Sequence, residues 1–256
     1  MITTRPNGSL YTKIENKIAT IEFGHPASNS FPSELLQRLT NEFNTLSQNP
    51  DVNIIVLKSE GEKAFCAGAS FDELLQVSTL EQGAVFFSGF ANVINAMRSC
   101  SKLIIGRVQG KAVGGGVGLA AACDYAMSTV DSAIKLSEFT IGIGPFVIAP
   151  AVERKMGKAA LSELTLAGHE WKNAYWAQEK GLYAKVLENI EELDKELDIF
   201  TLKLASYNPE ALAAMKKVLW QGTEHWDTLL AENAKISGRL VLSEFTVNAL
   251  NEFKKN

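Results

Sequence analysis

Apolar and polar residues alternate from Leu10 to Ile14 and again from Ile18 to Phe23. A period of two gives each segment one buried face, so the pair predicts a hairpin turning at Glu15-Asn16-Lys17. The period then changes: Leu35, Leu39, Phe43 and Leu46 recur at helical spacing, behind a proline suited to a first helical turn. Asn53 to Lys58 and Leu103 to Val108 are short apolar runs of strand type, and a helix fits Leu80 to Met97 between them. Strand and helix alternate, which is the mark of an α/β fold. From Ile190 onward no strand pattern returns. Glu191 to Ser206, Pro209 to Gln221 and Trp226 to Phe253 read as helices, the last with at least one break. The chain therefore divides into an α/β core, 1–192, and a helical region, 193–256. The apolar faces of those helices need either the core or a second subunit to cover them.

Length and composition change this picture little. The chain has 256 residues, 46% hydrophobic and 21% charged, an ordinary globular balance with room for a large core. A net charge of −4 offers no basic excess to attract phosphate backbones or anionic lipid, which argues against nucleic acid and membrane surfaces as partners. The longest uncharged apolar stretches, Ala112 to Cys123 and Ile141 to Val152, are 12 residues each and fall short of a bilayer span. The opening residues lack a charged segment leading into an apolar one, so a cytoplasmic location is expected. Cys66, Cys100 and Cys123 are odd in number and far apart, and His25, His169 and His225 are scattered, so reduced thiols and no structural zinc are expected.

Three segments carry candidate chemistry. In Lys63 to Asp72 the small residues Ala67, Gly68, Ala69 and Ser70 let a ligand approach the backbone, whose amides then act as donors. A tight strand-to-helix turn needs small residues equally. In Gly110 to Asp124 an apolar strand runs into Gly114, Gly115 and Gly116 and then a helix of small residues, a geometry that favours an oxyanion or phosphate. The bland alternative is close packing of a buried helix. A rival reading takes Gly116, Gly118 and Ala121 as G-x-G-x-x-A, with Glu138 20 residues beyond Gly118 as the ribose-binding acid of a dinucleotide enzyme. In the third segment Glu138 is the only ionisable residue between Lys135 and Glu153. Burial there would raise its pKa into the range of a usable base, whereas a surface glutamate at a strand end would do nothing.

Taken in order, KAFCAGASFDEL, GKAVGGGVGLAAACD and SEFTIGIGPFVIAPAVERKMG resemble the three signature blocks of the crotonase family, the enoyl-CoA hydratases and isomerases. The resemblance spans almost the whole chain. It implies a β-β-α spiral core with a C-terminal helical trimerisation region, assembled as a homotrimer or hexamer. It further implies an acyl-CoA thioester as substrate, with coenzyme A carried by the substrate and no other cofactor or metal. The thioester oxygen would accept the N–H groups of Ala69 and Gly115. Ala67, Gly68, Ser70, Phe71, Gly114 and Gly118 fall at substrate-binding positions, and Phe253 with Lys255 falls where a C-terminal helix closes over the adenine.

The chain departs from the hydratase pattern at one informative place. Family hydratases hold a water between two glutamates, and the first of those positions is Gly118 here; Glu138 matches the second. One carboxylate suits moving a proton from Cα to Cγ better than adding water, so Δ3-Δ2-enoyl-CoA isomerisation is expected. Phe146 stands where other members carry an aspartate, which argues against dienoyl-CoA isomerase and dehalogenase layouts. Hydration, with Glu73 or Glu81 as second acid, is the nearest alternative; decarboxylation and an inactive coenzyme-A-binding protein are others. Ser70 replaces the usual aspartate. Phe86, Phe87 and Phe90 share a helical face and are expected in the core.

Overall fold

The computed structural model describes residues 7–253. Strands β1 (Ser9–Glu15) and β2 (Ile18–Gly24) form the expected hairpin. Its loop is only Asn16-Lys17, both at positive φ (51° and 64°), as the twist of a two-residue hairpin demands. The expectation of one buried face per strand holds for β2 alone. β1 is the edge strand, covered only at its start, where Leu10 packs on the core, while Tyr11 and Ile14 are exposed. Helix α1 (Ser33–Gln48) follows Pro32 and buries Leu35, Leu36, Leu39, Phe43 and Leu46.

A unit then repeats. Strand β3 (Ile54–Ser59) leads to the short strand β4 (Ala64–Cys66), one helical turn α2 (Phe71–Leu74) and the long helix α3 (Leu80–Ser99). Strand β5 (Leu103–Val108) leads to β6 (Lys111–Val113) and α4 (Gly115–Ala122). Strand β7 (Tyr125–Thr129) leads to β8 (Ala133–Lys135), a 3-10 turn (Glu138–Ile141) and α5 (Ala149–Leu166). Then come β9 (Lys172–Asn173), α6 (Ala174–Glu179) and β10 (Lys185–Leu187). The long strands make a six-stranded sheet ordered β1-β2-β3-β5-β7-β10, parallel except at the hairpin. The short strands make a second sheet, β4-β6-β8-β9. Strand, strand and helix in each turn are the spiral that the family resemblance implies. β5 is buried at every position, which is why it reads as a continuous apolar run rather than an alternating one.

Four helices complete the chain: α7 (Ile190–Ala205), α8 (Pro209–Leu219), α9 (Trp226–Leu240) and α10 (Glu244–Phe253). They pack on the core of the same chain. α9 crosses α3 so closely that a Cβ on Gly83 would lie 2.6 Å from the Gly238 carbonyl oxygen. α8 is tied down by charge: the buried Lys216 ammonium meets Asp124 Oδ2 at 2.7 Å, and the Trp220 indole N–H donates to Oδ1 at 2.7 Å. Asp124 also accepts the Ile104 N–H of β5 at 2.7 Å. Among the described residues no helix is long and apolar enough to cross a membrane.

Candidate active site

The site forms where the ends of the short strands β4 and β6 lie side by side. In the loop after β4, Phe31 bridges to Ala69 by taking the Ser70 N–H on its carbonyl (2.9 Å) and giving its own N–H to Gly68 (2.8 Å). Such a bridge engages alternate groups, so the Ala69 N–H points the other way and donates to no backbone carbonyl among the described residues. Gly68 has φ +91°, and a Cβ there would lie 3.1 Å from Val113 O and 3.5 Å from Gly115 N. Only a glycine lets the two loops approach this closely.

The second donor comes from a helix start. Gly115 is the first residue of α4, and its N–H is one of the amides that a helix leaves without an internal partner. The glycine run has a separate physical reason at each position. Gly114 turns the chain at φ +52°, and a Cβ on it would sit 2.8 Å from Glu138 Oε1; one on Gly115 would enter the Phe90 ring at 2.3 Å; one on Gly116 would meet Cys66 O at 2.4 Å. The glycines thus admit a carboxylate, an aromatic ring and a neighbouring strand end against one short backbone segment.

Glu138 opens the 3-10 turn facing these amides. Its Oε2 is shielded from solvent and has no hydrogen-bond partner among the described residues. Burial pushes its pKa up to about 7, with its own backbone N–H opposing weakly. The turn is held from behind by α10, for a Cβ on Gly142 would fall 2.4 Å from Thr246 Oγ1. The three cysteines are free and buried, and burial drives the Cys66 and Cys123 thiols up to about 12, which leaves them unreactive.

Ala67, Gly68, Ala69, Phe71, Gly114, Gly115 and Glu138 all line one cavity of about 650 Å³. Two expected residues do not. Ser70 is the N-cap of α2, its hydroxyl accepting the Glu73 N–H at 3.3 Å, which is the task an aspartate would perform there. Gly118 is buried in α4 against Ile148, whose Cγ2 would lie 2.5 Å from an added Cβ. This packing also removes the dinucleotide reading, because Gly116 and Gly118 face Cys66 and Ile148 instead of a ligand. The side chain of Phe253 and the whole of Lys255 lie outside the described residues.

Phe86, Phe87 and Phe90 also line the cavity, although Phe86 and Phe90 are as buried as core residues; the expected core face is at once a cavity wall. Sequence reasoning missed Lys135, Thr140, Ile143, Pro145, Trp171 and Ser237 as lining residues. Proximity to Glu138 was a usable signal for Lys135. Trp171 arrives through the pairing of β8 with β9, which nothing in its own segment announces. Neither Glu73 nor Glu81 lines the cavity, and Glu73 is held by the Ser33 N–H at 2.9 Å.

The chain matches the family model for enoyl-CoA hydratase/isomerase over residues 13–247. It is 27% identical over 242 residues to the short-chain-enoyl-CoA hydratase of Clostridium acetobutylicum, covering 93% of this chain and 92% of that one. It is 29% identical over 195 residues to the peroxisomal Delta(3,5)-Delta(2,4)-dienoyl-CoA isomerase of Arabidopsis thaliana, covering 70% and 68%. The fold is that of the enoyl-CoA hydratase structure from Bacillus halodurans, with a TM-score of 0.87 at 20% identity over 95% of this chain and 99% of that one. The spiral of paired strands, the glycine-lined cleft and a match that runs nearly from end to end agree: this chain is an enzyme of the enoyl-CoA hydratase/isomerase family.

Proposed function

We propose that the enzyme shifts the double bond of an enoyl-CoA thioester from the Δ3 to the Δ2 position, with Glu138 as the single proton carrier. The thioester oxygen accepts the N–H groups of Ala69 and Gly115, so that charge developing on it as an enolate meets donors already in place, each typically worth about 3–4 kcal/mol of barrier. Ionised Glu138 removes a proton from Cα; the electron pair moves through the enolate; the same carboxyl group returns the proton at Cγ. The electron and proton count closes without a metal or redox partner, and coenzyme A enters as part of the substrate.

One observation carries this reading. Among the described residues Glu138 is the only carboxylate lining the cavity, and the space beside Gly118, where a hydratase's other acid would start, is filled by Ile148. A relative named as a short-chain-enoyl-CoA hydratase supports the competing reading of water addition. Incubation of the enzyme with a short β,γ-enoyl-CoA in heavy water separates the two. An α,β-enoyl product carrying deuterium but no added water is the result expected; a 3-hydroxyacyl product overturns it. The exposed apolar side chains of Leu202, Tyr207, Val218 and Phe245 on the helical region support assembly into a homotrimer or hexamer.

A further inference from the structure

The short-strand sheet carries an unmatched pair of positive charges on its cavity side. Lys111 and Val113 of β6 share a face, as do Ala133 and Lys135 of β8, because side chains alternate along a strand. β6 pairs Val113 with Lys135, and β8 pairs Ile134 with Lys172, which brings Trp171 beside Lys135. The Trp171 ring collects both cations, with Lys111 Nζ 5.1 Å and Lys135 Nζ 5.5 Å from its centroid. Lys135 and Trp171 line the cavity, and Lys135 is its only cationic wall residue among those described.

The contrast with the next residue is informative. Lys172 points to the other face and is matched twice, by Glu163 at 2.8 Å and Glu170 at 3.0 Å. Lys111 and Lys135 have no acidic partner among the described residues, and the Trp171 indole N–H has no acceptor there. Two ammonium groups lie within 5.5 Å of the centroid of one indole ring, and no acidic side chain among the described residues pairs with either. Such a cluster is complementary to an anion that arrives with the ligand.

We propose that Lys135, Lys111 and Trp171 bind a carboxylate carried by the acyl group, so that the preferred substrates are thioesters of dicarboxylic acids. This deepens the acyl-CoA reading above and rests on it. Reach decides between the two anions that an acyl-CoA offers. The Lys135 carbonyl accepts the Gly114 N–H at 3.0 Å, so its four-carbon stem starts beside the amide pair that faces the thioester oxygen. Coenzyme A phosphates are held away from that oxygen by the whole pantetheine arm; an acyl carboxylate lies a few bonds from it. Trp171 is 44% exposed, which leaves water for a charged group that a sealed apolar pocket would reject.

Calorimetric binding of saturated thioesters tests this independently of any reaction, since they have no double bond to move. ω-Carboxyacyl-CoAs of four to six carbons would be compared with plain acyl-CoAs of the same lengths and with free coenzyme A, using the wild type, Lys135→Gln and Lys111→Gln. At one chain length the wild type is expected to bind the carboxylated ligand about tenfold tighter. Both variants are expected to erase that preference while still binding the plain acyl-CoA, which also reports that they are folded. Equal affinity at every length in the wild type overturns the proposal. So does a loss of equal factor for all ligands including free coenzyme A, which would assign the lysines to the phosphates. Failure of every thioester to bind wild type would instead overturn the acyl-CoA reading beneath it.

Discussion

The Cγ2 methyl of Ile148 stands 2.5 Å from where a Cβ on Gly118 would lie. The missing acid is therefore not a simple deletion that leaves a hole for water; the N-cap residue of α5 fills that place with its apolar side chain. Gly118→Glu is expected to destabilise the fold by about 1–3 kcal/mol from overpacking alone, more with the buried charge included. Adding Ile148→Ala should recover part of the loss, because contacting sites couple. Urea denaturation of the two singles and the double would show it, and purely additive losses would refute it.

Glu138→Gln keeps the shape of the side chain and removes the base. Turnover of a β,γ-enoyl-CoA should fall by about 10²–10⁴-fold with the fold intact, as judged by circular dichroism. Full activity in this variant would remove Glu138 from the mechanism.

The raised pKa of Glu138 has two consequences of known sign. As a base it must be ionised, so kcat/KM should rise with pH through a midpoint of about 7. Folding works in the opposite direction. The folded state holds this proton more tightly than the unfolded chain, so the contribution of Glu138 to stability is full below its ordinary value of 4.5 and is lost as pH climbs towards about 7. In Glu138→Gln that decline should be absent, which denaturation midpoints across the window would reveal.

A Cβ on Gly115 would collide with the Phe90 ring at 2.3 Å. Gly115→Ala should displace either the ring or the amide beside it. The expected loss in kcat is about 10²–10³-fold, comparable with losing one oxyanion donor. Phe90→Leu in the same chain should restore part of it. No rescue would mean that the backbone, not the ring, gives way.

Lys216 is 2% exposed at its side chain and is the charged partner of an equally buried Asp124. Lys216→Met leaves that carboxylate without its countercharge and should cost about 3–5 kcal/mol, read from the shift in urea midpoint. A change below about 1 kcal/mol would mean that the Trp220 and Ile104 donors suffice for Asp124.

The hairpin, the long helices and the glycine-rich segments were readable because each is a local pattern: a period, a turn, a run of small residues. β1 deceived because alternation describes which side a residue faces and says nothing of whether a layer covers that side. Gly118 deceived for a related reason, since its neighbour Ile148 lies 30 positions further along and only the packing of α4 on α5 brings them together. Ser70 needed the helix that it caps before its substitution for aspartate made sense. Trp171 and Lys135 meet across a strand pair only two residues long, too short to leave a pattern in sequence.

Asp124 lies between α4, the helix that offers Gly115, and the strand β7, yet its ion-pair partner Lys216 comes from α8 and its indole donor Trp220 from the residue that follows α8. A chain ending at 192 would keep the carboxylate and lose Lys216 and Trp220 together. The spiral and the helices that follow it are thus expected to melt in one cooperative transition, and severing them would yield not a smaller enzyme but a core whose interior carboxylate had lost its direct ion-pair partner.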